Sequence, residues 1–294
     1  MLRGSTAGLK YSAGQALRKS CAERSVRFCE LHADDATKHF VDTAPVATPS
    51  QSLAHRFLAM VMSYYDANAT LGIYPLHLFS RDQWTQLLHE TTDRSKSPQG
   101  FQRALDIGAG DGSMAQTLLM PIAHEVHATE TSKKMAALAR ERGVDCHDVD
   151  LTAANSNEST LKGSFDLITV FNVLDRTNRP RTLLEKVSGL LASDGICVIA
   201  SPLPMRQVCF EGARRKKPEE SLPLPDTKSP ALAAYAGEDV WDAYAYSFMF
   251  EFLKEQVPDL KIEGFTRLPY LSSGDFSEPL VKYDDIAVVL SKRN

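Results

Sequence analysis

Asp106, Gly108, Gly110 and Gly112 are the residues of this 294-residue chain whose types and spacing tie most directly to a chemistry. They close the run Arg103-Ala104-Leu105-Asp106-Ile107-Gly108-Ala109-Gly110-Asp111-Gly112, an apolar stretch ending in an acid and followed by glycines at every second position. Such a run reads as a buried strand that breaks into a tight turn before a helix. Glycine there keeps side chains off the backbone and adopts φ angles that other residues reach at a cost, so a nucleotide-like ligand can lie against the turn. About 20 residues on, Val126-His127-Ala128-Thr129-Glu130 is a second short strand ending in an acid, the place where a carboxylate accepts from the hydroxyls of a ribose. The other reading of Glu130 is an exposed acid at a helix start that Thr131-Ser132 caps.

The spacing separates ligand classes. Dinucleotide loops carry Gly-x-Gly-x-x-Gly, whereas here Ser113 takes the third position and Gly112 falls one residue early. That favours Asp-x-Gly-x-Gly-x-Gly, the S-adenosylmethionine loop of class I methyltransferases, and disfavours a nicotinamide-dependent oxidoreductase. Further along, Asp150 closes a third strand-like run and is either a contact for an adenine amino group or a plain turn residue. Asn172 and Asp175 follow the apolar run Phe165-Asp166-Leu167-Ile168-Thr169-Val170-Phe171, and they are the candidates for handling the group that receives a methyl. Asp175 could instead cap a helix or pair with Arg176 or Arg179.

These residues need a sheet to position them. From residue 101 onward strand-like and helical runs alternate, with helices predicted over 135–142 and 182–191 and strands over 144–150, 165–171 and 196–200. Such alternation implies right-handed crossovers and a parallel sheet whose ligand lies outside the strands' carboxyl ends. Two final strands, 262–268 and 286–291, follow a helix over 241–256 and are joined by a loop over 269–285. The fold class is therefore α/β: a Rossmann-like, seven-stranded class I methyltransferase sheet with helices on both faces and an N-terminal helical extension.

Three regions are expected: a basic, flexible N-terminal arm with short helices over 1–48, a helical extension or lid over 49–100, and the cofactor-binding domain over 101–294. In the extension Ser50 can cap a helix whose Leu53, Phe57, Val61 and Tyr65 face a core, and Ser80-Arg81-Asp82-Gln83 reads as a capping box. A polar linker over 91–100 marks the boundary, and the proline-rich stretch 202–238 with Arg214-Arg215-Lys216-Lys217 is a long surface excursion.

A net charge of -4 and a pI near 6.1 give no overall basic footprint, so nucleic acid is not the expected partner. The five cysteines form no Cys-x-x-Cys pair, which points to reduced thiols, with Cys146 and Cys197 as small core residues. His124 and His127 show no ligand spacing with a carboxylate, so no metal is expected. No apolar run reaches the ~20 residues of a membrane span, and a soluble monomer is expected. The acid-free, basic first 22 residues leave the compartment open between the cytoplasm and an organelle.

Several segments together resemble the DREV family. They are Leu105 to Gly112, Ala128-Thr129-Glu130, Asn172-x-Leu174-Asp175-Arg176, and Phe265-Thr266-Arg267-Leu268-Pro269-Tyr270-Leu271 with Gly274-Asp275. The helix around 57–65 and Phe79-Ser80-x-Asp82-Gln83 extend the likeness to roughly residues 50–291. A characterised member of that family is a protein-histidine N-pros-methyltransferase. The resemblance implies methyl transfer from S-adenosylmethionine, leaving S-adenosylhomocysteine, to an imidazole nitrogen in proteins with His-x-His motifs. It assigns Asp106, Gly108 and Glu130 to the cofactor, Asn172 and Asp175 to the cofactor and the target histidine, and Tyr270 to the site lining; packing alone could also account for Tyr270. The basic excursion and the residues around Val281 and Lys282 depart from the family pattern. Competing readings are a small-molecule or other side-chain methyltransferase and a non-catalytic methyltransferase-like binding module.

Overall fold

A computed structural model describes residues 6–92, 100–153, 161, 163–211, 214–222 and 239–293. The strands, in chain order, are β1 (Arg27–Phe28), β2 (Leu76–His77), β3 (Phe101–Ile107), β4 (Ala123–Glu130), β5 (Asp145–Asp148), β6 (Phe165–Phe171), β7 (Leu191–Pro202), β8 (Cys209–Glu211), β9 (Arg214–Lys216), β10 (Leu260–Ser273) and β11 (Leu280–Lys292). The main sheet runs β1-β10-β11-β7-β6-β3-β4-β5, with β2 also paired to β10. Strands β7, β6, β3, β4 and β5 are parallel, and β11 enters antiparallel to both neighbours. The expected seven strands are thus all present, and two short strands from the N-terminal part of the chain enlarge the sheet to nine.

Residues along β6 alternate between two cores. Ile168 and Val170 join Leu105, Ile199 and the helices α7 (Pro180–Leu190) and α8 (Val240–Tyr246, continuing as a π-helical segment Ser247–Leu253) on one face. Leu167 joins Ala104, Val198 and Trp84 of the helix at Arg81–Thr91 on the other. A continuous apolar strand suits this double burial.

Residues 6–48 depart from a flexible arm. Helix α1 (Gln15–Ala22) sends Leu17 and Cys21, both fully buried, into the core that α8 lines. Burial of those two apolar side chains and specific polar ties hold the segment: the Gly14 N–H lies 3.1 Å from both oxygens of buried Asp242, and Arg267 donates to the Ser12 carbonyl at 3.1 Å. Helix α2 (Asp35–Thr43) is capped by Asp34, whose other oxygen takes the hydroxyl of Ser80.

In the extension, α3 (Pro49–Leu58) is capped by Thr48 rather than Ser50, with Gln51 completing a capping box and Pro49 opening the first turn. Its apolar stripe does not meet a core: Leu53, Phe57 and Val61 are exposed, since no described element covers that face. Helix α4 (Tyr64–Leu71) instead docks on α6 (Lys133–Glu141), as Ser132, the cap of α6, donates to Asp66 at 2.5 Å. Helix α5 (Arg81–Thr91) carries the capping box read from Ser80 and Gln83. The linker expected over 91–100 lies mostly outside the described residues.

Two further differences concern loops. The stretch 269–285 is mainly strand, because β10 and β11 stay paired from Leu260–Lys292 to Ser273–Leu280. Within the excursion, β8 and β9 form a two-stranded hairpin, so part of the basic run is strand; residues 212–213 and 223–238 lie outside the described set. The cysteines at 21, 29, 146, 197 and 209 are all buried and free. Among the described residues no helix is long and apolar enough to cross a membrane.

Candidate active site

Strands β3, β4 and β6 deliver the glycine loop, Glu130 and Asn172 to one edge of the sheet. Gly108, Gly110 and Gly112 all have positive φ, at 72°, 57° and 79°, but they serve three purposes. A Cβ on Gly108 would lie 2.5 Å from Val173 Cγ2, and one on Gly112 would lie 2.8 Å from Ala139 Cα in α6. The third glycine therefore lets helix and loop pack closely rather than touching a ligand. A Cβ on Gly110 would meet nothing within 4 Å, because that residue faces an open cavity.

Glu130 holds the loop in place. Its carboxylate accepts the Gly110 N–H at 2.9 Å and the Ser132 N–H at 2.8 Å, one on each oxygen. Each oxygen keeps further lone-pair capacity toward the cavity that Glu130 lines. Ser132 does cap the following helix, but Glu130 beside it is half-buried rather than the exposed acid of the other reading. Asp106 lies beneath, with Thr169 donating to it at 2.7 Å, and burial pushes its carboxyl up to about 7.

The cavity, about 1250 Å³, runs from this loop past the end of β6. Asp150 lines it while also accepting from the Thr152 N–H and hydroxyl at 2.8 and 2.7 Å, so it is a turn residue and a wall residue at once. Asn172 adopts φ 56°, a left-handed conformation that asparagine tolerates better than most residues. Its backbone N–H bonds the Ala200 carbonyl at 3.0 Å, and both polar atoms of its buried amide lack a hydrogen-bond partner. Positive φ at a buried amide that lines the cavity makes Asn172 a candidate for ligand contact.

Tyr270 also lines the cavity; it stacks on Tyr283 at 5.8 Å, and burial pushes its hydroxyl up to about 12. The Arg176 guanidinium lies 5.9 Å over the Tyr270 ring and 3.6 Å from Asp175. Asp175 itself is not part of the lining: its side chain is buried beside Arg176, and Oδ1 has no hydrogen-bond partner. Burial raises its pKa, and the neighbouring Arg176 works against that rise.

Three contributors escaped the sequence reading. Arg176 was visible only as a possible partner of Asp175, and Tyr65, assigned to a helix core face, is a wall residue from α4. Asp285 is fully buried in β11, with neither oxygen hydrogen-bonded. An acid abutting the apolar run Ile286-Ala287-Val288-Val289-Leu290 was the available signal. Desolvation raises the Asp285 pKa well above 3.8, with Asn172 countering and Asp175 adding to the rise. The folded state then holds a proton that the unfolded state releases, so this residue makes stability fall as pH rises above about 3.8. Asp285→Asn should flatten that fall and raise stability at pH 8 by about 1–3 kcal/mol. Urea midpoints at pH 6 and pH 8 check this; Asp106 contributes the same sign of slope in both proteins, so parallel wild-type and variant trends count against the assignment.

The DREV methyltransferase family model matches residues 15–292, nearly the whole chain. The chain belongs to the DREV methyltransferase family. It is an S-adenosylmethionine-dependent methyltransferase on a Rossmann-like fold, and the open face at Gly110 together with the unspent acceptor capacity of Glu130 suits that cofactor. Solved structures are similar at low identity. The N-methyltransferase NodS from Bradyrhizobium japonicum WM9 is 15% identical, covering 73% of this chain and 96% of its own, with a TM-score of 0.42. A Burkholderia thailandensis 1,6-didemethyltoxoflavin-N1-methyltransferase, solved with 1,6-didemethyltoxoflavin and S-adenosylhomocysteine, is 17% identical, covering 86% of this chain and 93% of its own, with a TM-score of 0.44.

Proposed function

We propose that this chain is a protein-histidine methyltransferase that modifies the pros nitrogen of histidine in His-x-His motifs of protein substrates. The observation that carries the reading is a pair of buried polar side chains without hydrogen-bond partners just past β6: the Asn172 amide, which lines the cavity, and Asp175 Oδ1 three residues on. The DREV motifs around them supply the substrate class. S-adenosylmethionine, when bound, supplies an electrophilic methyl on a sulfonium.

A neutral imidazole has one lone-pair nitrogen and one N–H, so whatever holds the N–H decides which nitrogen attacks. Asp175 comes forward to accept the distal N–H, Asn172 fixes the ring, and the pros nitrogen is left facing the donor. As charge develops on the ring, the carboxylate stabilises the imidazolium. Arg176 works against the rise that burial imposes on the Asp175 pKa, and Tyr65 and Tyr270 wall the ring off from water. Turnover therefore needs Asp175 ionised and the target histidine neutral, and kcat/KM falls on the acid side.

Labelled cofactor with peptides containing Ala-His-Ala-His, and with their His→Ala variants, tests the reading. Methyl incorporation should vanish when the histidines are replaced. Incorporation indifferent to them would reject the histidine assignment in favour of another side chain.

The rim supports a polypeptide rather than a small molecule. Tyr64, Leu76 and Tyr283 line the cavity while remaining exposed, and Phe276, at 67% exposure, sits between the lining residues Asp275 and Ser277. Apolar groups around a cavity mouth mark an interaction surface. Phe276→Ser should leave stability within about 0.5 kcal/mol and raise peptide KM several-fold with kcat little changed. Steady-state kinetics alongside a melting curve check this; an unchanged KM would remove Phe276 from the recognition surface.

A further inference from the structure

Away from the cavity, β4 and β5 bring together three side chains that sequence spacing kept apart. His127 and Asp145 are register partners, and His147 follows two residues later on the same face of the edge strand. His127 Nδ1 lies 3.0 Å and His147 Nε2 3.6 Å from Asp145 Oδ2, and the three potential ligand atoms all fall within 4.8 Å of one another. The two rings are nearly parallel, 6.0 Å apart.

Both nitrogens are buried and lack a hydrogen-bond partner among the described residues, although the Asp145 carboxylate is near. The ring nitrogens are close to the acid without being aimed along a proton toward it. On the far side of the ring, His127 Nε2 lies 3.5 Å from Glu125 Oε2, and the exposed Glu125 carboxyl is held below its ordinary range by Arg103 and His127. Arg103 Nη2, which can only donate, also lies 3.5 Å from His127 Nε2. The ligating tautomer therefore requires Nε2 to turn its proton to Glu125 and Arg103 to donate to Glu125 and not to the ring, which leaves the Nδ1 lone pair toward Asp145 and His147. A carboxylate behind a ligating imidazole is the usual way its tautomer is fixed. Arg103, the nearest cation, lies on the Nε2 side at 3.5 Å and is paired with Glu125 at 3.0 Å, so it does not occupy the cluster.

We propose that His127, Asp145 and His147 form a binding site for a divalent transition-metal cation such as Zn²⁺. Two imidazoles and a carboxylate suit that class rather than Mg²⁺ or Ca²⁺, which take all-oxygen shells. Small adjustments bring the three atoms to the roughly 2.0–2.2 Å ligand distances of zinc, and the Asp145 side, at 61% side-chain exposure, leaves a position open to water. The cation clamps the four-residue edge strand β5 onto β4. None of the three residues lines the methyl-transfer cavity, so the site acts on stability and not on the chemistry.

Calorimetry with Zn²⁺ alone on the chelator-treated full chain should show one saturable site, weakened by about 10- to 100-fold or more in His147→Gln and in Asp145→Asn. Zn²⁺ should raise the melting temperature of the wild type by a few degrees and of neither variant. Co²⁺ absorption should lack a thiolate charge-transfer band, separating this site from the cysteines, and methyl transfer should persist after chelation. If His147→Gln folds poorly, the exposed Asp145→Asn decides. The proposal is overturned by no saturable binding, by binding that both variants retain, or by a thiolate band.

Discussion

Asp175→Asn should lower kcat by about 10²- to 10⁴-fold while leaving cofactor affinity close to wild type. The amide keeps the size of the side chain and its place beside Arg176, but it has no negative charge to hold an imidazole N–H or to offset the charge that develops on the ring. Cofactor affinity should survive because Glu130 and the glycine loop, the expected holders of that ligand, are untouched by the substitution. The two quantities separate cleanly: single-turnover rates on a His-x-His peptide report the loss, and calorimetry with S-adenosylhomocysteine reports retained binding. A normal rate would leave Asp175 as nothing more than a buried partner of Arg176. Because burial raises the Asp175 pKa, the wild-type acid limb contains this group as well as the substrate imidazole, and the variant should retain only the latter.

Arg267→Met should cost about 2–3 kcal/mol of stability. The guanidinium is buried and donates through Nε and Nη2 to Asp284 at 2.8 and 2.5 Å, through Nη2 to Asp239 at 2.9 Å, and through Nη1 to the Ser12 carbonyl at 3.1 Å. It also lies 4.5 Å over the Trp241 ring. Removing one partner of a buried ion pair costs 3–5 kcal/mol as a rule; the lower figure applies here because Asp239 and Asp284 keep about a third of their side-chain exposure and are rehydrated. Methionine replaces the packing on Trp241 but none of the hydrogen bonds. Urea denaturation measures the loss, and an unchanged midpoint would show that Arg267 is not the tie between β10, the cap of α8 and the N-terminal segment.

That arginine also shows where sequence reading stops. The phrase Phe265-Thr266-Arg267-Leu268-Pro269-Tyr270-Leu271 is one of the segments that carry the DREV resemblance, yet only Tyr270 of it lines the cavity. The rest serves the fold: Phe265 and Leu268 are core, and Arg267 gathers segments more than 250 positions apart along the chain. A local pattern identifies a strand but does not reveal a partner so distant. The glycine loop was legible because its requirement is local: positive φ at every second position and an acid one strand away. Parallel strands were legible because double burial demands unbroken apolar runs.

Other features were hidden for the same reason of distance. The stripe on α3 has the spacing of a core helix, but no described element covers it, and periodicity alone cannot say what a face meets. Residues 23–48 lack clear periodicity, and the described N-terminal residues from 6 onward still pack, through a few buried side chains and the Gly14–Asp242 contact. His127 and His147 look unrelated in sequence and become neighbours only through the β4–β5 register. Asp285 is the sharpest case: a charged residue in an apolar strand reads as a strand end, whereas β11 carries it to full burial within electrostatic reach of Asp175.

The central claim is that one acceptor beyond β6 holds the distal N–H of a histidine so that its pros nitrogen takes the methyl. NMR of the methylated peptide Ala-His-Ala-His, made by this enzyme with ¹³C-methyl cofactor, reads the position directly. The label should appear on the pros nitrogen alone. A label on the tele nitrogen, or on both, would contradict it.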